Sequence, residues 1–315
     1  KKLDETLIKD LDLRLGEFFS EKIEEFIASL SLKKEKIEAI GSHGQTIKHE
    51  PNSIPPFSLQ IGNPQFISNK IGIKTIANFR DDDIAKGGQG APLSPIFHKE
   101  VFAKENKKRV IINIGGITNI SLLGGAKLVG FDTGPGNCLL DIWTKKNKKG
   151  NYDNEGNWAK AGTVDQDLLD IMMKDHYFSL EPPKSTGPDY FNLSWLQDCL
   201  MKLKREIDPR DTQATLVELT ASSLSNSLKI LKIVNENIYI CGGGVHNKFL
   251  MRRISSLLGE KCYTTDKLGL DPDYIEAICF AWLAYKRVNN IKFNMSAITG
   301  SNEKVFLGKV YLPTK

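Results

Sequence analysis

The chain has 315 residues, 40% of them apolar and 26% charged, with a formal net charge of +5. At about 100–200 residues per domain this is enough for two domains, each with its own core, and it excludes a small disulfide-stapled module. No stretch approaches the ~20 apolar residues of a membrane span, and the basic residues lie in short patches such as residues 145–149, so neither a membrane nor a nucleic-acid partner is demanded, while an anionic ligand would suit the charge.

Residues 1–5 carry neither an initiator Met nor the apolar core of a signal peptide, which points to a cytoplasmic protein whose sequence starts mid-chain. Leu11, Leu15, Phe18, Phe19, Ile23, Phe26, Ile27 and Leu30 recur at spacings of three and four, predicting an amphipathic helix. Residues 37–40 and 71–79 read as strands, the first running into Gly41-Ser42-His43-Gly44-Gln45-Thr46 and the second into an acidic, Gly-rich loop. In open α/β sheets, ligands bind beyond the carboxyl ends of strands. Residues 109–114 and 117–123 form a predicted hairpin around Gly115-Gly116, followed by a strand over 128–131. Asn137 is placed to cap a helix through Trp143, and residues 145–157 read as a surface loop. A long helix over 212–234 leads to a strand over 238–240, which ends in Cys241-Gly242-Gly243-Gly244. A helix through Leu258 follows, and a last one spans 272–287 with Pro272 at its permissive start.

Three glycine turns, at Gly115-Gly116, Gly134 to Gly136 and Gly242 to Gly244, each follow a strand. Glycine lets backbone amides approach a phosphate closely, so three such turns make a nucleotide site as good a reading as ordinary tight turns. Neither a P-loop nor a dinucleotide Gly-x-Gly-x-x-Gly fingerprint is present. The loop after Phe79-Arg80 sets Asp81, Asp82 and Asp83 beside Gly87-Gly88; taken alone such acidic loops usually face solvent, although a carboxylate here could serve as a base or bind a metal. Asp132, after a strand and before a glycine turn, reads either as a turn cap or as a magnesium contact. His43, His49, His98 and His246 are not at metal-ligand spacings and read as hydrogen-bonding residues. Glu276 lies in an otherwise apolar helix, and a buried carboxylate there must be paired or face a site. The five cysteines, Cys138, Cys199, Cys241, Cys262 and Cys279, are odd in number and scattered, as in a reducing compartment.

Taken together, Ser42-His43-Gly44-Gln45-Thr46, Leu59-Gln60-Ile61-Gly62, the block from Phe79-Arg80 to Pro92 and Asn113-Ile114-Gly115-Gly116 resemble the anhydro-N-acetylmuramic acid kinase family. So do Phe131-Asp132-Thr133-Gly134-Pro135-Gly136-Asn137, Lys184-Ser185-Thr186-Gly187, Cys241-Gly242-Gly243-Gly244 and the segment from Glu276 to Ala284, all in the family order. The resemblance covers essentially the whole chain. It implies an α/β, two-domain actin/hexokinase-like (ribonuclease H-like) kinase fold with ATP and sugar in the interdomain cleft. Residues 1–108 would be the remainder of the N-terminal sugar-binding domain and 109–315 the nucleotide-binding domain, with the final helix contributing near the hinge. The family's first phosphate loop, Ser-Gly-Thr-Ser with a following Asp, is absent from the start, which implies an N-terminal truncation or, alternatively, an inactive nucleotide- or sugar-binding relative.

The resemblance also implies the chemistry. Water opens 1,6-anhydro-N-acetylmuramic acid, and the released O6 takes the γ-phosphoryl group of ATP, giving N-acetylmuramic acid 6-phosphate in peptidoglycan recycling and amino-sugar catabolism. Asp83 aligns with the family's base, and His43, Gln45, Pro92 and Glu276 are substrate-side candidates. Asn113, Gly115, Gly116, Thr118 and Asn119 match the second phosphate loop, and Gly242, Gly243 and Gly244 the adenosine loop, with Gly134 and Gly136 beside them. The loop's usual cation-coordinating Asp is Asn113 here, and Mg²⁺ is expected to meet Asp132 indirectly, through water. The implied assembly is a homodimer, with no nucleic-acid or membrane partner.

Overall fold

The side chain of Asp4 accepts from the amides of Thr6 and Leu7 and caps a 25-residue helix, α1 (Glu5–Ser29); such a cap contributes about 1 kcal/mol. The helix is the predicted one, and part of its predicted face packs, with Phe19 and Ile23 against the buried cluster that contains Ile27. Gly16, Ser20 and Ile27 are buried, whereas Leu11, Phe18, Phe26 and Leu30 are exposed. The reason is close approach: a Cβ on Gly16 would lie 3.2 Å from Asn63, so this contact selects small residues over large apolar ones.

The computed structural model describes residues 4–105, 107–125, 128–233, 236–259 and 262–314. The chain divides into two units, Lys1–Gly90 with Ala277–Lys315, and Ala91–Glu276. In the first unit, β1 (Ile40–Gly41), the hairpin of β2 (Gln45–Glu50) and β3 (Phe57–Ile61), α2 (Pro64–Ile71), β4 (Thr75–Ala77) and α3 (Asp81–Ala85) follow α1. The expected strand over 71–79 is thus reduced to β4. Asn63 accepts from the Phe66 amide and Pro64 sits in the first turn, so α2 starts there and uses Ile71 before Gly72 ends it at φ 79°. β1 pairs in parallel with β4 through Ile40↔Thr75 and Gly41↔Ile76.

The second unit begins with α4 (Ser94–Phe102), then β5 (Arg109–Ile114), β6 (Ile117–Leu123), β7 (Val129–Pro135) and α5 (Asn137–Lys146). Next come α6 (Asn157–Lys160), α7 (Gln166–Met173), α8 (His176–Ser179), α9 (Leu193–Leu203) and α10 (Pro209–Ile230). Two parallel strands, β8 (Asn237–Cys241) and β9 (Cys262–Thr264), flank α11 (Lys248–Leu258), and α12 (Ile275–Val288) leads back to the first unit. There β10 (Phe293–Asn294) pairs with β11 (Lys304–Val305), and β12 (Lys309–Tyr311) adds to β4 antiparallel.

The five-stranded sheet has the order β7-β6-β5-β8-β9, with β5, β6 and β7 an antiparallel meander and β8 parallel to β5. This is the strand order of ribonuclease H-like domains, the α/β fold of actin and hexokinase. Val110, Ile112 and Ile114 enter one core with Leu216, Leu219 and Ile240, while Ile111 is buried on the other side, so both faces of β5 are covered. Because β5, β7 and β8 run the same way, their carboxyl ends bring all three glycine turns to one edge of the sheet.

Several predicted boundaries move. α5 runs through Lys146 and α6 starts at Asn157, so the expected loop over 145–157 is shorter. α10 starts at Pro209, whose missing amide is harmless there and which follows the Asp208 cap; Val234, the expected end, lies outside the described residues. α12 begins at Ile275, leaving Pro272 outside, where its carbonyl accepts from the Gly242 amide. Asn137 does not cap α5: it is the first helical residue, and its side-chain amide donates to the Ile114 carbonyl at 3.3 Å.

Candidate active site

In the first unit, Asp83 sits on α3 with 0% exposure. One carboxylate oxygen accepts from the Thr299 hydroxyl at 2.8 Å and the other from the Gly90 amide at 2.7 Å. The turn is built around this side chain, since a Cβ on Gly88 would collide with the Asp83 carboxylate. Burial pushes the Asp83 carboxyl above its ordinary value, and the Thr299 and Gly90 hydrogen bonds and the Arg80 charge only partly oppose it. Asp81 instead pairs with Lys309 at 2.7 Å, and Asp82 is half-buried.

Arg80 ties this pocket together, donating to the Gly90 carbonyl at 2.7 Å and to His43 Nε2 at 2.8 Å. His43 Nδ1 bonds the Gly44 carbonyl at 2.8 Å, so Nδ1 carries the proton and Nε2 accepts, a neutral imidazole. Burial first, and then the Arg80 charge, lowers the His43 pKa to about 3. The ring packs on Phe280 with centroids 4.5 Å apart. Gln45 is exposed and donates to the Thr46 carbonyl. Sequence reasoning missed Thr299, which lies 216 positions from its partner and carries no local signal; Arg80 stood inside the matched block but had no assigned role.

In the second unit, the glycines separate into two kinds. Gly134, Gly136, Gly242 and Gly244 are required by the fold: Gly134 and Gly242 have φ +148° and +83°, and a Cβ would strike the Gly115 carbonyl from Gly136 and Ile114 from Gly244. The Gly136 amide is also spent internally, on the Gly116 carbonyl at 2.9 Å. Gly115, Gly116 and Gly243 have no such need, because their Cβ positions meet nothing closer than 3.6 Å, 3.8 Å and 4 Å. The fold does not demand glycine at these three, and glycine there is compatible with close approach of a phosphate or ring. Asn113 lies at the carboxyl end of β5 beside Cys241, and Asn119 accepts from the Ser94 hydroxyl at 3.2 Å.

A cavity of about 560 Å³ opens beside Gly243, between Asn137, Leu140 and Asp141 of α5 and Asn247 and Lys248 at the start of α11. That volume suits a small-molecule site, typically about 300–1,000 Å³. Burial raises the pKa of Asp141 in its wall to about 6, with Lys145 opposing.

Asp132 is 4% exposed on β7, and its carboxylate accepts from the Thr186 amide at 3.0 Å. On the adjoining strand, the Thr118 hydroxyl is buried without a hydrogen-bond partner. The Asp132 carboxylate is a hard oxygen of the kind Mg²⁺ takes, which uses one or two carboxylates together with water and phosphate oxygens, whereas Thr118 pairs with Gly134 rather than Asp132. Among the described residues no three His, Cys, Asp or Glu side chains form a metal site of their own. Pro92 is buried just before α4. Glu276 is exposed in the first turn of α12, as a carboxylate that faces a site rather than the core would be, and the apolar face of that helix is carried by Ile275, Cys279, Phe280, Leu283 and Ala284. His49 bonds Ser58, His98 bonds Ser121 and His246 pairs with Asp273.

The model of the family described as anhydro-N-acetylmuramic acid kinase matches residues 3–313. The chain belongs to that family. It is 47% identical over 305 residues to the anhydro-N-acetylmuramic acid kinase of Pasteurella multocida, covering 96% of this chain and 81% of that one. To the enzyme of the same name from Shewanella baltica it is 45% identical, covering 95% of this chain and 81% of that one. Among solved structures it is similar to the activator of the 2-hydroxyisocaproyl-CoA dehydratase from Clostridium difficile with bound ADPNP, at 16% identity and TM-score 0.36 over 69% of this chain and 68% of that one. As a family member the chain is a kinase that uses ATP on a small molecule. No described helix is long and apolar enough to cross a membrane.

Proposed function

We propose that this kinase opens 1,6-anhydro-N-acetylmuramic acid with water and phosphorylates O6 in one coupled step, yielding N-acetylmuramic acid 6-phosphate and ADP from cell-wall amino sugars. The observation that carries the reading is Asp83: a fully buried carboxylate, fixed through both oxygens and pushed above its ordinary value, is a stronger base than a solvated aspartate. Each oxygen accepts one of these hydrogen bonds, and a carboxylate has about four acceptor sites, so capacity remains for a water molecule.

Asp83 takes a proton from the water that attacks C1, the C1–O6 bond breaks, and its electrons pass to O6, which bonds to the γ-phosphorus as the bond to ADP breaks. An inverting glycosidase needs an acid to protonate the leaving oxygen as well as a base. Here the phosphoryl group captures the charge on O6, so one carboxylate suffices, and the proton on Asp83 is released to solvent. Arg80 holds Gly90 and His43 in place around the base, and neutral His43 offers no competing charge. Gly115, Gly116 and Gly243 leave room for the nucleotide, and the cavity beside Gly243 takes its nucleoside end. Mg²⁺, held at Asp132 through water, would neutralise phosphate charge. Five free thiols suit a reducing, cytoplasmic setting.

The test is a pair of variants of the full-length protein in a coupled kinase assay. Asp83→Asn can keep both contacts, because the Thr299 hydroxyl can turn to the Met295 carbonyl at 3.2 Å and accept from the new amide. It should lose about 10²–10⁴-fold in rate with ATP binding retained, while Asp81→Asn should lose far less. The opposite ranking would reject Asp83 as the base.

A further inference from the structure

The cavity beside Gly243 has walls whose charged side chains are engaged within the protein, with one exception. Asp153 accepts from the Trp158 and Ala159 amides at 2.8 Å and 2.9 Å, one with each oxygen. Lys248 pairs with Glu155 at 2.6 Å, and His246 pairs with Asp273 at 2.8 Å. Asp141 lines the same cavity and is half-buried, yet among the described residues it forms no hydrogen bond or ion pair. Burial raises its pKa to about 6, and only Lys145, one turn further along α5, opposes. A carboxylate withdrawn from water without donors is costly, and the cost falls when a ligand supplies them.

The place of Asp141 on α5 selects those donors. The Asn137 amide donates to the Gly115 carbonyl at 2.8 Å, so the helix starts against the phosphate hairpin. Asn137 and Asp141 both face the cavity, four residues and about 6 Å apart along the helix axis. In ATP the group next to the phosphates is the ribose, and the base lies beyond it. An ionised carboxylate only accepts, and its two oxygens match the two neighbouring hydroxyls of a ribose; an acidic residue holds ribose in the same way in dinucleotide-binding folds.

We infer that Asp141 is the ribose-selecting residue of this kinase, its carboxylate accepting from the 2′- and 3′-hydroxyls of the nucleotide. This rests on the reading that the cavity beside Gly243 takes the nucleoside end of ATP.

Calorimetric titration of the full-length protein with ADP and with 2′,3′-dideoxy-ADP separates the two. Wild type should bind ADP about 10–100-fold more tightly than the dideoxy analogue, as expected for hydrogen bonds to a charged group. Asp141→Ala should erase that preference by weakening ADP alone, the dideoxy analogue binding at least as tightly as to wild type. Asn154 is an exposed wall residue, and Asn154→Trp, which fills the cavity, should weaken both nucleotides. If Asn154→Trp does so but wild type shows no preference, or Asp141→Ala keeps it, the ribose inference fails and the cavity reading stands. If Asn154→Trp leaves both nucleotides bound as before, the cavity reading fails and the inference with it. Equal weakening of both nucleotides by Asp141→Ala would mark a structural role, which also overturns the inference. Should Asp141→Ala fail to fold, Asp141→Asn, which keeps the size and removes the charge, decides by losing most of the preference or retaining it.

Discussion

Glycine does opposite work in the two units. Around Asp83, Gly88 and Gly90 are moulded to the protein's own side chains: a Cβ on Gly88 collides with the carboxylate, and one on Gly90, at φ +70°, lies 2.8 Å from Ile84. At the sheet edge of the second unit, a Cβ on Gly243 would meet nothing within 4 Å, and one on Gly115 or Gly116 only ordinary contacts at 3.6 Å and 3.8 Å. In the proposed mechanism the first pattern fixes the base, and the second leaves room for the nucleotide. A glycine-rich loop in the sequence does not say which, because the distinction lies in what the missing Cβ would touch.

Substitution at each kind should separate them. Gly88→Ala carries the largest expected effect, since displacing a catalytic group by about 1 Å can cost about 100-fold; turnover should collapse while nucleotide binding by calorimetry survives. If Gly88→Ala turns over normally, the pocket does not set the base. Arg80→Met should come next. It leaves the Gly90 carbonyl and His43 Nε2 without their donor, at about 1–3 kcal/mol for each buried group left unsatisfied, measured by urea denaturation. Because the Arg80 charge favours ionised Asp83, its loss should raise the carboxyl further and move the acid limb of the rate profile to higher pH.

At the sheet edge, Gly244→Ala should destabilise by about 1–3 kcal/mol through overpacking on Ile114. Gly243→Ala should stay within about 0.5 kcal/mol of wild type and weaken ATP binding instead. Equal stability losses would erase the distinction. The last effect is in pH dependence. The His43 pKa falls from 6.5 to about 3 on folding, so its contribution to stability is complete above pH 6.5 and is lost as pH falls toward 3. His98, lowered by burial to about 3, acts in the same direction. The urea midpoint should therefore fall between pH 6.5 and pH 4, and His43→Gln should flatten that slope.

Much of this was legible in the sequence. The glycine turns at strand ends and the Asp83 loop were visible because turn chemistry is local and because the matched blocks run the length of the chain. Thr299 was invisible, since its contact with Asp83 exists only after residues far apart in the chain come together. Whether Glu276 is buried could not be read from its apolar neighbours, because that depends on the helix phase, and the structure leaves the carboxylate exposed at the start of α12. The helical face of α1 was legible only in part: Phe19, Ile23 and Ile27 pack as their spacing predicts, but close approach to Asn63 put Gly16 in the interior, while Leu11, Phe18, Phe26 and Leu30 stay exposed.

The central claim is that Asp83 drives water onto the anomeric carbon while O6 captures the phosphoryl group. Single-turnover reaction in ¹⁸O-labelled water, with the product read by mass spectrometry and its anomer by NMR, tests this directly. The expected result is label at C1 of the sugar, none in the phosphate, and an inverted anomer formed first. Label in the phosphate would mean that water attacks ATP and that the ring opens separately, contradicting the coupled step assigned to Asp83.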